Sequence, residues 1–290
     1  MRDECRRESG QPELITHHWR LRVQIHSTAI VHSKASLADD VEVGPFCVIG
    51  EHVTIGKGTR LLSHVTVDGW TEIGERNEVH PFVSIGGPPQ HLGYHGEPTK
   101  VVIGHDNILR EYVTINRATM QGGGVTSLGS KNFLMAYVHV AHDCRLGNHL
   151  IMANAASLAG HIAIGDHAII GGLTGIHQHV RIGAYSMVGG CCALGQDLPP
   201  FMRAAGGYRA RMYGLNSVGL RRQGFSTDRI SVLKRAYDLL FRSGHRTAEA
   251  ARLAKAEFGD QPDVMTVVSF LEGTKRGICR SVGKDHEDEE

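Results

Sequence analysis

The sequence has no long apolar run and few of the features that mark a membrane, secreted or nucleic-acid-binding protein. No apolar stretch of 18 residues occurs in its 290 residues, so we expect no membrane-spanning helix. Its six cysteines form no CxxC pair, and a chain of this length does not need disulfides. The net charge is +1, which argues against a nucleic-acid partner. We therefore expect a cytoplasmic protein with free thiols and no integral membrane segment.

What the sequence contains in quantity is glycine, with 36 residues, and a six-residue repeat of aliphatic side chains. The repeat begins at residue 25, is lost only in 86–102 and 117–127, and ends near residue 198. Its aliphatic positions are Ile25, Val31, Leu37, Val43, Ile49, Ile55, Leu61, Val67, Ile73, Val79, Ile85, Ile103, Leu109, Ile115, Leu128, Leu134, Val140, Leu146, Met152, Leu158, Ile164, Ile170, Ile176, Ile182, Val188 and Leu194.

A period of six fits neither an α-helix, with 3.6 residues per turn, nor the simple alternation of a long strand. Short strands that each place one side chain inward and then turn explain it, and such hexapeptide repeats are typical of a parallel β-helix. A sandwich of short strands would not keep the phase over so many repeats. The sequence therefore predicts a mainly β fold, and the two breaks predict loops that project from it and carry function.

Three segments follow from these patterns. Residues 1–23 contain arginines and acids but no apolar segment, so we expect an N-terminal extension rather than a secretory signal. Residues 24–200 form the predicted β-helix domain, which Pro199–Pro200 ends. Residues 201–290 are predicted to be a basic linker followed by a small α-helical C-terminal domain.

The C-terminal segment combines an excess of positive charge with helical periodicity. Eight arginine and lysine side chains stand in 201–235 against one acid, Asp228. Such a basic surface suits an acidic protein or a diphosphate as its partner. A cap at Thr227 or Asp228, a helix start near Thr247 and an apolar pattern over about 262–271 predict three helices.

Chemistry is expected at histidines on successive coils of the β-helix, because a regular coil surface offers little else. His142 is followed by Asp143, a carboxylate that can fix the imidazole tautomer and raise its basicity. His161 and His177 lie 19 and 35 residues further on, about one and two turns of an 18-residue coil, so we expect the three histidines near one edge. No two histidines stand five apart, the spacing of the metal-binding pair in β-helix hydratases, so no metal site is expected.

Longer strings carry a resemblance to a known family. They are VGPFCVIG (43–50), HLGYHGEPT (91–99), REYVTINRAT (110–119), QGGG (121–124), VHVAHDC (138–144), ANAASLAGH (153–161), GIHQ (175–178), MVGGC (187–191), QDLPP (196–200) and GLN…GLRRQGFS (214–226). Through them the chain resembles the UDP-N-acetylglucosamine 3-O-acyltransferases, which begin lipid A biosynthesis. The resemblance extends from about residue 24 to residue 277, nearly the whole chain.

The resemblance implies a left-handed β-helix that forms a homotrimer, with active sites in clefts between neighbouring subunits. It implies transfer of a 3-hydroxyacyl chain to the glucosamine 3-position of a UDP-sugar. The donor is the 4′-phosphopantetheine arm of acyl carrier protein, and no further cofactor is implied. His142 resembles the general base that takes the proton from the sugar hydroxyl, and Asp143 resembles the group that orients it. The backbone N–H of Gly160 resembles the oxyanion donor.

Eight further residues resemble the substrate contacts of the family. They are Gln90, His139, His161, His177, Gln178, Gly190, Asn216 and Arg222. The three histidines and Gln178 resemble contacts to the sugar nucleotide, and Gln90 resembles a contact to the acyl or sugar moiety. Gly190 resembles the residue that leaves room for a long acyl chain. Asn216 and Arg222 resemble the groups that hold the nucleotide end.

The chain departs from the family pattern in segments that recognise substrate. The departing residues are His91, Gly93, Asn116, Val218 and Gln223. None of them is the expected base, so the departures bear on the acceptor and the acyl chain rather than on the chemistry. A 3-hydroxyl and a 3-amino acceptor both stay open as alternatives.

Two other functions are compatible with the same fold. The N-acyltransferases that act later in the same pathway carry a uridine-binding domain before their β-helix, and a β-helix that begins near residue 25 leaves no room for one. A non-catalytic β-helix scaffold would have no need for His142. The motifs favour the O-acyltransferase over both.

Overall fold

Each hexapeptide of the repeat folds into a short strand followed by a corner. The computed structural model describes residues 23–281, and the predicted N-terminal extension lies outside them apart from Val23. The strands are β1 (Gln24–Ile25), β2 (Ile30–Val31), β3 (Ser36–Leu37), β4 (Glu42–Val43), β5 (Val48–Ile49), β6 (Val53–Ile55), β7 (Arg60–Leu61), β8 (Thr66–Val67), β9 (Trp70–Ile73), β10 (Glu78–Val79), β11 (Ser84–Gly87), β12 (Lys100–Ile103), β13 (Ile108–Leu109), β14 (Thr114–Asn116), β15 (Val125–Leu128), β16 (Phe133–Leu134), β17 (His139–Val140), β18 (Arg145–Leu146), β19 (Ile151–Met152), β20 (Ser157–Leu158), β21 (Ala163–Ile164), β22 (Ile169–Ile170), β23 (Gly175–Ile176), β24 (Arg181–Ile182), β25 (Met187–Val188), β26 (Ala193–Leu194), β27 (Met202–Ala205) and β28 (Arg211–Leu215).

The strands form three sheets, which are the faces of the left-handed parallel β-helix that the sequence predicts. Sheet A has the order β1-β4-β7-β10-β13-β16-β19-β22-β25-β27-β28, sheet B the order β2-β5-β8-β11-β14-β17-β20-β23-β26, and sheet C the order β24-β21-β18-β15-β12-β9-β6-β3. Along the coils each strand pairs with the strand three places later, so that Ile25 lies beside Val43. The breaks in the repeat are loop 1 (88–99), between β11 and β12, and loop 2 (117–124), between β14 and β15.

The inward side chains of the repeat form one continuous core. Of the 26 aliphatic positions, all are buried except Ile25, Val31 and Leu37 in the first coils. Ile25 is 47% exposed because no described coil covers it, whereas Ile49 is 1% exposed between its neighbours. Stacking of coils rather than any single coil therefore buries the apolar surface, as in other repeat proteins.

The corners use left-handed backbone at ordinary L-residues. Asp143, His161 and His179 occupy one corner on successive coils with φ of 63°, 62° and 67°. Such a φ costs a non-glycine residue about 1 kcal/mol or more. A hydrogen bond to the neighbouring coil offsets this cost: the N–H of His161 donates to the carbonyl of His142 at 3.0 Å. The corners thereby stack the ionisable side chains of successive coils directly above one another.

The segment after residue 200 contains more regular structure than the basic linker that the sequence suggested. Strand β27 continues sheet A in parallel with β25, and β28 returns antiparallel to β27. Phe201 and Met202 are 3% and 1% exposed, so this hairpin is packed as part of the β-helix core. The four α-helices are α1 (Ser217–Arg222), α2 (Thr227–Tyr237), α3 (Thr247–Phe258) and α4 (Pro262–Glu272), and a π-helical turn at Asp238–Arg242 follows α2.

The predicted cap of this helix at Thr227 or Asp228 is wrong by one or two residues, since α2 begins at Thr227. Ser226 caps α2: its backbone is extended, and its hydroxyl accepts the N–H of Arg229 at 3.2 Å. The start of α3 at Thr247 is as predicted, and α4 ends one residue beyond the predicted span. No helix in residues 23–281 is long and apolar enough to span a membrane.

Candidate active site

His142 and Asp143 form a buried hydrogen-bonded pair at a corner between sheets B and C. They follow β17, and the corner turns His142 out of the sheet while the left-handed backbone of Asp143 redirects the chain. His142 Nδ1 lies 2.7 Å from Asp143 Oδ2, and the two side chains are 8% and 0% exposed. A carboxylate on Nδ1 holds the proton there and leaves Nε2 as the basic nitrogen.

Loop 2 closes over the Asp143 carboxylate. Thr119 donates its backbone N–H to Oδ1 at 2.9 Å and its hydroxyl to Oδ2 at 2.8 Å. The backbone N–H of Asp143 donates to the Thr126 hydroxyl at 2.8 Å. Gly122 lies so close to the carboxylate that a Cβ there would overlap it. These contacts fix the carboxylate before any substrate binds, so the orientation of His142 is fixed as well.

Gly160 lies directly against the His142 ring, one coil further on. A Cβ on Gly160 would overlap Cε1 of the ring and would lie 2.8 Å from Nε2. Only glycine therefore lets the chain pass at this distance. Within the described residues, the N–H of Gly160 has no hydrogen-bond acceptor. Such an N–H beside a base is available to an oxygen that develops negative charge.

The pair opens into a groove of about 710 Å³ on the face of sheet B. The residues that line it are Gln90, His139, Ala141, His142, Ser157, Leu158, Ala159, Gly160, Gly175, Ile176, His177, Gln178, Ala193, Leu194, Gly195, Tyr208 and Arg209. Its floor follows small side chains on β20, β23 and β26, which leave room for a ligand across three coils. The groove therefore runs from the His142 corner to the basic segment after residue 205.

Loop 1 reaches the same corner from the N-terminal side. Gln90 lines the groove, and the His91 ring lies edge-on to that of His142 with 5.2 Å between ring centroids. His91 is one of the departures from the family pattern. The structure thus places a departing residue in contact with the expected base.

His139 and His161 flank the pair, one on each side. His139 Nδ1 lies 2.7 Å from the Thr114 hydroxyl, and burial, with a smaller effect of His142, lowers the pKa of His139. His161 Nε2 lies 3.5 Å from Asp143 Oδ2. Burial also lowers the pKa of His161, although the Asp143 carboxylate opposes part of that shift. Both side rings therefore favour the neutral form, which can donate and accept hydrogen bonds.

The other predicted residues divide into two groups. His177 and Gln178 line the groove, with His177 Nδ1 3.1 Å from the carbonyl of Gln178. Gly190, Asn216 and Arg222 do not line it. Asn216 is 6% exposed and caps α1: its Oδ1 accepts the N–H of Gly219 at 3.2 Å, and its Nδ2 donates to the carbonyl of Tyr185 at 3.0 Å.

Sequence reasoning missed the residues that support the pair. Thr119, Thr126 and Gly122 contact Asp143, and Thr114 contacts His139. The signal that pointed to Thr119, Gly122 and Thr126 was the break in the repeat at 117–127, since a loop beside a histidine coil is placed to cover it. Which of its side chains would face Asp143 depended on tertiary contacts that the repeat does not encode.

Within residues 23–281, one group of three side chains could act as metal ligands. These are His142, Asp143 and His161, whose donor atoms lie within 4.8 Å of one another. Both histidine nitrogens approach the same oxygen, Oδ2, and Thr119 donates to both carboxylate oxygens. Hydrogen bonds of this kind account for the cluster without a cation. That the site needs no metal stays a prediction.

Comparison with known proteins places this site in a family. A family model described as "Udp N-acetylglucosamine O-acyltransferase; Domain 2" matches residues 197–279. The acyl-[acyl-carrier-protein]–UDP-N-acetylglucosamine O-acyltransferase of Thermodesulfovibrio yellowstonii is 55% identical over 257 residues, which are 89% of this chain and 99% of that protein. The enzyme of the same name from Syntrophobacter fumaroxidans is 48% identical and covers 89% of this chain and 100% of its own.

A solved structure agrees with these relatives. The UDP-N-acetylglucosamine O-acyltransferase of Moraxella catarrhalis superimposes with a TM-score of 0.87 at 42% identity, over 88% of this chain and 99% of that one. The match includes both the β-helix and the helices after it. This chain therefore belongs to the acyl-[acyl-carrier-protein]–UDP-N-acetylglucosamine O-acyltransferases, the family that its motifs predict.

Proposed function

We propose that this enzyme transfers a 3-hydroxyacyl chain from acyl carrier protein to the glucosamine 3-position of UDP-N-acetylglucosamine, the first step of lipid A biosynthesis. The observation that carries the proposal is the His142–Asp143 pair. Its ring nitrogen Nδ1 is held at 2.7 Å by a fully buried carboxylate, and its other edge faces Gly160 at the wall of an open groove. The names of the relatives supply the substrates, and this geometry supports the chemistry.

The proposed reaction is direct attack on the thioester. His142 Nε2 takes the proton from the sugar 3-hydroxyl, because a hydroxyl with its ordinary pKa is a weak nucleophile. The oxygen forms a bond to the thioester carbonyl carbon, and the carbonyl oxygen becomes an oxyanion that accepts the N–H of Gly160. When the C–S bond breaks, the proton on His142 passes to the carrier thiolate. No covalent acyl-enzyme is formed, so no nucleophilic cysteine or serine is needed.

The groove residues then divide by substrate. His139, His161, His177 and Gln178 hold the sugar nucleotide, and Gln90 contacts the acyl chain or the sugar. Asp143 does not touch the substrate and keeps the His142 ring in place. The small residues on the groove floor support this division, because they leave a surface on which a thin, extended chain can lie.

Partner subunits complete the proposed site. Asn216 and Arg222 lie outside the groove of their own chain, and we assign them to the nucleotide end of a site shared with a neighbouring subunit of a homotrimer. Gly190, at the edge of sheet B away from His142, marks the end of the acyl chain. The basic segment 201–235 faces the carrier protein, whose acidic surface it complements.

Mass spectrometry of the product tests the proposal. The enzyme is incubated with UDP-N-acetylglucosamine and a panel of acyl carrier proteins loaded with 3-hydroxyacyl or unsubstituted chains of different length, in buffer with a chelator. We expect one added acyl group on an ester that mild base cleaves. A parallel incubation contains the 3-amino analogue of the sugar nucleotide, and an amide product formed only from that analogue would instead support the alternative acceptor. No product from any carrier would refute the proposed function.

A further inference from the structure

Arg117 is a buried arginine with no acidic partner. It is 7% exposed, and among the described residues no carboxylate lies within ion-pair distance of it. Its guanidinium donates from Nη1 to the carbonyl of Gly86 at 2.9 Å and from Nη2 to the Tyr94 hydroxyl at 2.9 Å. Its Nε finds no hydrogen-bond partner in this part of the chain. Burial of a cation without a counter-ion is costly in free energy, so other contacts must compensate the lost hydration of the guanidinium.

Aromatic rings and one glycine form the socket of Arg117. The guanidinium carbon lies 5.6 Å from the centroid of the Trp70 ring and 5.9 Å from that of Tyr94, distances at which cation–π attraction contributes. Gly69 has φ +60, and a Cβ there would overlap the guanidinium and lie 2.7 Å from Arg117 Cδ. The socket therefore fits a flat guanidinium and leaves no room for a side chain beneath it.

Every polar contact of Arg117 goes to loop 1 or to the strand end that leads into it. Besides the two guanidinium bonds, its backbone N–H donates to the carbonyl of Gly87 at 2.9 Å. Tyr94 passes the constraint on, because its hydroxyl donates to the carbonyl of Glu97 at 2.8 Å. The adjacent Asn116 donates to the carbonyl of Pro88 at 2.7 Å. Asn116 and Arg117, at the end of β14, thus fix both sides of the loop tip.

The loop tip held in this way carries the two side chains that reach the base. Gln90 lines the groove, and the His91 ring lies 5.2 Å from the His142 ring between centroids. Two residues after Arg117, Thr119 holds Asp143. One short segment therefore fixes loop 1 on one side and the carboxylate of the catalytic pair on the other.

We propose that Arg117 is a positioning residue that holds loop 1, with Gln90 and His91, over His142. The inference rests on the proposed function, because it assigns Arg117 a role in that same reaction. Displacement of positioning groups by about 1 Å costs roughly 100-fold in rate. A lysine keeps the charge but has a single donor nitrogen and no flat surface, so Arg117→Lys releases the loop without removing the cation.

A double-mutant cycle separates positioning from general stability. Arg117→Lys is made alone and in a Gln90→Ala/His91→Ala background, and kcat and KM for the sugar nucleotide are measured for each. We expect Arg117→Lys alone to lower kcat/KM roughly 10- to 100-fold. In the background without the loop side chains the loss should shrink to less than about threefold, because the groups that Arg117 positions are gone. Equal losses in both backgrounds would overturn the proposal.

Two further variants serve as a substitute and as a control for Arg117→Lys. Tyr94→Phe, which serves where Arg117→Lys fails to fold, keeps the ring and removes two hydrogen bonds, the one from Arg117 and the one to the Glu97 carbonyl. It should give a loss of the same kind. Arg76→Gln, which removes an exposed arginine bound to Asp106, is the matched control and should leave kcat/KM unchanged.

The contacts by which Arg117 holds loop 1 are called the clamp. Amide hydrogen exchange over 88–99 tests the clamp without any assay of activity. Faster exchange confined to this loop in Arg117→Lys supports the clamp even if the wild type proves inactive toward the proposed substrates, in which case the proposed function fails and the clamp stands. Unchanged exchange in the loop would refute the clamp whatever the activity.

Discussion

Gly160 lies against the edge of the His142 ring so closely that no side chain fits between them, since a Cβ there would lie 2.8 Å from Nε2. The contact joins two coils of the β-helix at the corner where the groove begins. It places the N–H of Gly160, which has no acceptor among residues 23–281, next to Nε2 of His142, the ring nitrogen that Asp143 does not hold. The proposed reaction needs a base and an oxyanion donor beside the same thioester carbonyl, and His142 and Gly160 supply them.

Substitution of Gly160 tests that contact. In Gly160→Ala the added methyl overlaps the ring, so His142 must tilt away from the substrate hydroxyl. We expect kcat to fall roughly 100-fold with a small change in the thermal midpoint. Gly175→Ala, on the groove floor with open space around its Cα, is the control for added bulk in the groove. Wild-type kcat in Gly160→Ala would show that the contact has no catalytic role.

Asp143→Asn tests the orientation of His142, the proposed base. The asparagine amide has the size of the carboxylate but only one acceptor oxygen. At least one of the hydrogen bonds from Thr119 and His142 is therefore lost. We expect kcat to fall roughly 10²- to 10⁴-fold while KM for the sugar nucleotide changes little. Asp166→Asn is the control, because Asp166 accepts an N–H from Asn148 at 2.7 Å away from the groove. Equal effects of the two substitutions would contradict a specific role.

Stability should fall in mild acid because three histidines resist protonation in the folded state. Burial, first among the causes, lowers the pKa of His139, His161 and His167. In the unfolded chain each takes up a proton near pH 6.5. The unfolded state therefore binds more protons, and the free energy of unfolding falls as the pH drops through about 6.5 toward the folded-state values.

Chemical denaturation from pH 8 to pH 5 measures this slope. His167→Tyr should flatten it, because Tyr185 already stands at the equivalent corner one coil later and stacks on His167 at 4.6 Å. A slope that is unchanged in His167→Tyr would show that the proton uptake arises elsewhere.

Charge reversal near the end of the groove tests where the carrier protein binds. Arg209 and Arg211 line a cavity of about 350 Å³ that adjoins the groove, together with Arg280. Arg209→Glu and Arg211→Glu should raise KM for the acyl carrier roughly tenfold at low salt and less at high salt, with KM for the sugar nucleotide unchanged. Lys57→Glu, on the N-terminal coils, should change neither constant. Deletion after Pro200 is a poorer test, because it removes buried strand residues.

The sequence predicted the parts of the fold that depend on the repeat. A single aliphatic side chain per hexapeptide is enough to define the core, because each coil pairs only with its neighbours. The hairpin β27–β28 was missed because it does not continue the six-residue period and its strands contain arginines. The cap of α2 was misplaced because Ser226, Thr227 and Asp228 are all good caps, and the extended backbone that a cap needs is found at Ser226.

The candidate site was predictable only in part. Coil spacing was expected to bring His142, His161 and His177 to one edge. The rings of His142 and His161 are in contact there, and His177 lines the groove that begins at His142. The motifs singled out Asp143 and Gly160. The period could not place loop 1 over His142, because that arrangement depends on the contacts of Arg117 with Tyr94 and Gly86. Asn116, a departure from the family pattern, also holds loop 1, because its side chain donates a hydrogen bond to the carbonyl of Pro88.

The most direct test of the account is carrier-dependent acylation of UDP-N-acetylglucosamine by His142→Ala. The imidazole is the proposed base, so its removal should lower kcat at least 10²-fold, with thermal unfolding like that of the wild type. His149→Ala, which removes a stacked histidine at a different corner, should keep its activity. Turnover by His142→Ala at the wild-type rate would contradict the mechanism proposed for this enzyme.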